Sequence, residues 1–167
     1  YDISSAGVSQ DPSWAASQNI SFTNRRVFTS TPTGTGTTFP TNDQKSLMFE
    51  GLNLTGVTQD QLANYIKGDQ SREISRDGPL RTRESPLGDI VNSSPIYAAD
   101  SDTLFIGAND GMLHGFNAST GQERFAYVPK GLDFKALGKL AHPDYTHRFF
   151  VDGQIITSNT KQTPGVN

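Results

Sequence analysis

Between Ser94 and Pro129 the chain carries four short apolar runs, Ile96–Ala99, Leu104–Ala108, Met112–Asn117 and Glu123–Val128, separated by residues that favour chain reversal. Short runs bounded in this way predict strands. The second and third are joined through Asn109, Asp110 and Gly111, where Asn and Asp tolerate left-handed backbone and Gly accepts it without a Cβ clash, so a hairpin turn is expected. The third and fourth are joined by Ala118 to Gly121, again ending on a glycine where a tight reversal requires positive φ. The expectation is four consecutive antiparallel strands.

Leu104, Phe105, Ile106 and Ala108 form a nearly unbroken apolar run, which an antiparallel strand needs only when both of its faces are covered. Along the fourth run Glu123, Phe125 and Tyr127 alternate with Arg124, Ala126 and Val128, so an aromatic row is expected to pack on a neighbouring sheet. The blades of a β-propeller, stacked face to face, provide that double coverage. With 34% hydrophobic and 19% charged residues, 16 glycines and 9 prolines in 167 residues, the composition also suits a loop-rich, mainly β protein better than a helical bundle.

The formal net charge is −3, and the basic residues are interleaved with acids. Such a surface gives no general attraction to phosphate backbones, so nucleic acid is not an expected partner. Cysteine is absent, which excludes disulfides and thiolate metal sites. No apolar stretch approaches the roughly 18 residues of a membrane span, and residues 1–10 lack a charged region followed by an apolar one, so any signal peptide is expected upstream.

Upstream of the strands, Arg25–Thr29 reads as a strand, and Ser30–Thr41, rich in Thr, Gly and Pro, as an exposed loop. Lys45–Leu54 reads as a short strand leading into Gly56. The clearest helix runs from Gln59 to Lys67: Thr58 and Gln61 have capping-box spacing, Val57 and Leu62 staple spacing, and Gly68 supplies a left-handed stop. Leu62, Tyr65 and Ile66 share one face of this short helix (58–68), which is expected to dock on the sheet. Asp69–Ser85 mixes Arg72, Arg76, Arg81 and Arg83 with Glu73, Asp77 and Glu84, a pattern expected of a solvated or cross-linking loop. Residues 1–86 are thus expected as an irregular N-terminal part of the propeller domain, and 87–167 as a blade (94–129), the start of the next blade at Arg148–Val151 and a polar tail.

Three histidines invite sharper readings. His114 shares a strand face with Met112 and Phe116 beside Asp110, and is expected as a buried, hydrogen-bonded residue rather than a base. His142 and His147 flank Pro143, Asp144 and Tyr145, and would form a metal pair only if a turn joined both rings. Asp100 and Asp102 offer two oxygens where calcium takes six to eight, so an ordinary turn is expected there.

Leu113–Phe125, read as Leu-His-Gly-Phe-Asn-Ala-Ser-Thr-Gly-Gln-Glu-Arg-Phe, resembles the blade motif of quinoprotein-like propellers, which carries an Ala-x-Asp, a Thr-Gly and a terminal Trp. Asn117 stands in place of that Asp and Phe125 in place of that Trp, so tryptophan docking is expected to be weakened. The longer string Leu-Gly-Asp-Ile-Val-Asn-Ser-Ser-Pro at 87–95, followed by Gly-Ala-Asn-Asp-Gly-Met-Leu-His at 107–114, resembles the PilY/PilC family of type IV pilus proteins. Asn64–Asp69, Arg81–Arg83, Ala126–Pro129 and Tyr145–Gly153 add to the resemblance. Its structural motif residues here are Gly88, Asp89, Ser94, Pro95, Gly107, Asn109, Asp110, Gly111, His114 and Gly121.

The resemblance implies an exported protein that passes through the periplasm to the outer membrane, cell surface or pilus tip, and serves pilus assembly and adhesion without catalysis. It implies minor pilins, a host or abiotic surface, and the remaining propeller blades as partners. No cofactor is expected in this segment; calcium is expected elsewhere, on an acidic loop of the family that has no counterpart here. One blade cannot close a propeller, so the covering blades are expected outside this sequence. Two alternatives stay open: a quinone-dependent dehydrogenase, which needs polar and cationic groups converging on the cofactor, and a periplasmic scaffold for outer-membrane assembly.

Overall fold

A computed structural model describes residues 12–157 together with the backbone of two short strands, β1 (Ile3–Ser4) and β2 (Gly7–Val8), which pair antiparallel. The polar tail expected beyond Thr157 lies outside the described residues. The main sheet contains β3 (Val27–Ser30), β4 (Gly36–Thr38), β5 (Ile96–Ala98), β6 (Thr103–Gly107), β7 (Leu113–Asn117) and β8 (Glu123–Tyr127). The four strands expected between Ser94 and Pro129 are present as an antiparallel meander. Gly111 and Gly121 take positive φ, +88° and +73°, at the turns that flank β7.

The sheet is nevertheless not a four-stranded blade. Its order is β4-β3-β8-β7-β6-β5, six strands, with β3 parallel to β8 and the other neighbours antiparallel. The extra pair comes from the N-terminal part, where Ser30–Thr41 was expected as an exposed loop. Gly36–Thr38 instead pairs with β3, and Phe39, 1% exposed, enters the core. A single large apolar residue in a Thr/Gly/Pro-rich segment shows no periodicity, so it escapes pattern reading.

Lys45–Leu54 is likewise not a strand. Helix α1 (Asn42–Phe49) starts there because Thr41 and Gln44 form a capping box, which satisfies two otherwise orphaned backbone donors. Helix α2 (Gln59–Ile66) starts on the same device at Thr58 and Gln61. A third helix, α3 (Phe134–Gly138), follows the sheet with Asp133 as its cap. The chain therefore has three α-helices among the described residues, where one was expected. Arg148–Val151 forms no strand; it is held by side chains described below.

Register places Val27, Ala126, His114 and Ile106 in one row across the sheet, and that face meets the helices. Val27, Met112, Ala126 and Val128 pack with Met48, Leu62, Ile66 and Leu137 in one continuous core. A smaller cluster, Ile20, Ile106 and Phe116, closes the other end of the same face. The opposite face carries Phe28, Tyr127, Leu113, Phe105 and Phe125, all half-buried. Gly115 lets the Phe125 ring lie across its backbone, since a Cβ there would fall 2.9 Å from that ring.

Helices α1 and α3 meet backbone to backbone. A Cβ on Gly138 would fall 1.9 Å from the Met48 carbonyl oxygen. Gly138→Ala is expected to cost about 1–3 kcal/mol of unfolding free energy by overpacking, whereas Thr58→Ala should cost about 1 kcal/mol through its cap. Urea unfolding of both variants, compared with the parent chain, measures the ranking.

Candidate functional site

His114 is fully buried at the centre of the sheet. Its Nδ1 lies 2.8 Å from Glu123 Oε1 and its Nε2 lies 3.1 Å from Asp110 Oδ2. Glu123 also accepts two bonds from Arg25, at 2.6 Å from Nε and 2.8 Å from Nη2. Arg25 then donates through Nη1 to the Lys67 carbonyl at the end of α2. Asp110 accepts from the Gly88 and Met112 backbone N–H groups. Arg25, Glu123, His114 and Asp110 thus form a buried row of alternating sign.

Strict alternation along the fourth run would send Glu123 outward with Phe125 and Tyr127. A register shift between Gly115 and Phe116 sets Glu123 opposite Phe116 and Phe125 opposite Gly115. Such an irregularity re-aims a side chain, and here it delivers Glu123 to His114.

Ionised carboxylates only accept hydrogen bonds, so both ring nitrogens of His114 must donate, which makes it an imidazolium. Burial opposes that charge, but the Asp110 carboxylate and the bonds to Asp110 and Glu123 outweigh it and push the pKa from 6.5 up to about 9. Burial likewise works against the charges of Asp110 and Glu123. His114 lowers Asp110, and His114 with Arg25 lowers Glu123, to below their ordinary values of 3.8 and 4.5.

A second constellation ties residues 147–153 to the meander. The Asp152 carboxylate, 8% exposed, accepts from three consecutive backbone N–H groups, those of Val91, Asn92 and Ser93, at 2.8–3.1 Å. Burial disfavours its charge, but these bonds and that from Asn109 hold its pKa low. Asn109 is the hub: its Nδ2 donates to Asp152 and Asp89, its backbone N–H donates to the Asp89 carbonyl, and its Oδ1 accepts from Phe150 N–H. Ser93 Oγ accepts from Gly107 N–H at 3.0 Å. A Cβ on Gly107 would fall 1.9 Å from the Val151 carbonyl oxygen, and one on Gly88 would fall 2.2 Å from the Asp110 nitrogen.

The motif residues therefore divide. Gly88, Asp89, Gly107, Asn109, Asp110, Gly111 and His114 converge on one seam, whereas Ser94 and Pro95 are exposed and Gly121 lies at the β7–β8 turn. At that turn Trp14, from the N-terminal part, supplies a ring. Its Nε1 donates to the Ala118 carbonyl at 3.0 Å, and a Cβ on Gly121 would fall 2.3 Å from its ring. Nothing in the local pattern around Trp14 or Arg25 announces partners about a hundred residues away.

The Asp69–Ser85 segment cross-links rather than floats. Glu73 is 1% exposed and accepts from Arg83 Nε at 2.9 Å. Arg83 also donates to the Tyr65 and Asp69 carbonyls and lies 3.6 Å from the Tyr65 ring centroid. The histidine pair separates: His147 Nε2 pairs with Asp89 at 2.8 Å, while His142 Nδ1 accepts from Asp144 N–H. No group of three or more metal-ligating side chains occurs among the described residues. Asp102 is tied to Tyr97 and Ser119 hydroxyls in the β5–β6 turn. No helix among the described residues is long and apolar enough to cross a membrane.

Breaking a buried charge row by removing one member typically costs about 3–5 kcal/mol, so His114→Leu should lose stability on that scale in urea unfolding at pH 7. The raised pKa of His114 adds stability that is complete below pH 6.5 and disappears as pH climbs through about 9. The lowered pKa values of Asp110 and Glu123 add stability that is present above their ordinary values and disappears as pH falls through their folded ones. The parent chain should thus weaken between pH 7 and 9.5, and His114→Leu should show a flatter profile there.

No family model matches the chain, and no solved structure matches it. Curated relatives do. A type IV pilus biogenesis factor PilY1 homolog of Xylella fastidiosa is 37% identical over 139 residues, covering 63% of this chain and 9% of the relative. A second homolog from that organism is 34% identical over 130 residues, covering 62% and 11%. The type IV pilus biogenesis factor PilY1 of Pseudomonas aeruginosa strain PAK is 35% identical over 131 residues, covering 60% and 11%. The chain spans about a tenth of the length of these relatives. Over some 60% of its own length it is similar to proteins named PilY1 type IV pilus biogenesis factors.

Proposed function

We propose that this chain is a non-catalytic structural and interaction segment of a type IV pilus biogenesis factor, acting at the cell surface in pilus assembly and attachment. The observation that carries the reading is the seam itself. The 87–95 and 107–114 strings that resemble the pilus family are the residues that knit the meander to residues 147–153. A non-catalytic role is supported by His114, whose two ring nitrogens are both engaged by carboxylates and shielded from solvent. A base needs one nitrogen open to substrate.

A propeller-like setting is supported by the half-buried aromatic face of Phe28, Tyr127, Leu113, Phe105 and Phe125. An antiparallel sheet whose second face is this apolar is suited to packing against another sheet. In this reading the covering sheet belongs to the same longer protein, and minor pilins are partners of the assembled whole.

Deleting the gene that encodes the chain should abolish or sharply reduce surface pili, twitching and attachment, with restoration by the intact gene. Unchanged piliation, twitching and attachment would overturn the proposal.

A further inference from the structure

A cleft of about 510 Å³ runs between the extended strap of residues 81–89 and the Asn109–Asp110 turn, with Tyr145 and His147 at its rim. Clefts of this size suit small ligands. Most polar groups along it are already matched: Arg83 by Glu73 and backbone carbonyls, Asp110 by His114. Arg81 is the exception. Its backbone N–H donates to the Ala141 carbonyl and its Nε to the Leu140 carbonyl at 2.7 Å, and its guanidinium lies 4.8 Å from the Tyr145 ring centroid. Among the described residues, neither Nη group has a hydrogen-bond or ion-pair partner.

A guanidinium anchored at Nε with both Nη groups free is a preset fork for a planar oxyanion. Asp89 also lines the cleft; its Oδ2 is taken by His147 and Asn109, and its Oδ1 has no partner among the described residues. Leu87, Leu140 and Ile66 supply apolar wall. Asp89 and Glu84 line the same space as the one unmatched cation, which disfavours a phosphate dianion and requires that a bound anion also bring a hydrogen-bond donor to meet Asp89.

We propose that this cleft binds a carboxylate on a short apolar amide, the chemistry of a peptide C-terminal residue. The carboxylate takes the Arg81 fork, the amide N–H donates to Asp89, and the side chain lies on Leu87 and Leu140. The cleft shares Leu87–Asp89 and the Asn109–Asp110 turn with the seam, but ligand binding there is read without reference to pili.

The test is a titration of the 15N-labelled chain with N-acetylleucine, N-acetylleucinamide, inorganic phosphate, and an acetylated Ala-Ala-Ala-Leu peptide with free or amidated C-terminus. Saturable shifts at Leu87, Gly88, Asp89 and Tyr145 are expected with the free acids, and at least about tenfold weaker binding with the amides, as loss of a charge-assisted pair implies. Arg81→Lys should weaken binding, because it keeps charge but loses the fork. Asp89→Asn should weaken it too, and because Asp89 also accepts from Asn109 and pairs with His147, unchanged amide shifts along β6–β8 in both variants are the control for folding. Tighter binding of the peptide than of N-acetylleucine identifies a protein C-terminus as the source, and equal binding identifies a free acyl amino acid. Equal response to acid and amide, binding of phosphate as tight as that of the acids, or no saturable shift at this cleft would overturn the proposal.

Discussion

Arg25, Glu123, His114 and Asp110 sit out of water in a row, and each is held by a different part of the chain. Removing four charges from solvent is expensive, and what offsets it is alternation of sign with nearly every donor and acceptor matched. Glu123 receives Arg25 on one side and His114 on the other; Asp110 receives His114 and two backbone N–H groups. The segment before β3, the end of α2, the centre of β7, the start of β8 and the β6–β7 turn can meet only in one arrangement that satisfies the row. The parallel pairing of β3 on β8 accords with the same constraint, since Arg25 lies two residues before β3.

The seam extends the constraint outward. Asp110 holds the Gly88 backbone, Asn109 holds Asp89 and Asp152, and Asp152 gathers three backbone N–H groups that would otherwise lack partners. Here the glycines are required by space rather than by φ, because backbone from a distant segment lies where a Cβ would be at Gly88 and Gly107. A string such as Leu-Gly-Asp-Ile-Val-Asn-Ser-Ser-Pro is therefore best understood as a set of contacts to other loops, which is why it forms no strand itself.

Legibility in the sequence followed the range of the interaction. The meander between Ser94 and Pro129 and the helix after Thr58 were readable because turn glycines, strand alternation and capping boxes are local signals. The helix after Thr41 has the same Thr-x-x-Gln signature as the one after Thr58 and was readable in principle; the apolar spacing of Leu47, Phe49 and Leu52 favoured a strand instead. Six strands rather than four, Trp14 on the Gly121 turn, and Arg25 on Glu123 depend on pairings across about a hundred residues. No window of sequence contains both partners. The bulge that turns Glu123 inward was hidden for a related reason, since one slipped residue reverses the face that alternation assigns.

The account rests on His114 being a cation inside the sheet. The most direct measurement is the pH titration of its ring by NMR, following 15N and 13C shifts of the imidazole in the folded chain. Both ring nitrogens should be protonated at neutral pH, with a midpoint near 9. A neutral ring with a single protonated nitrogen at pH 7, or a midpoint at or below 6.5, would contradict it.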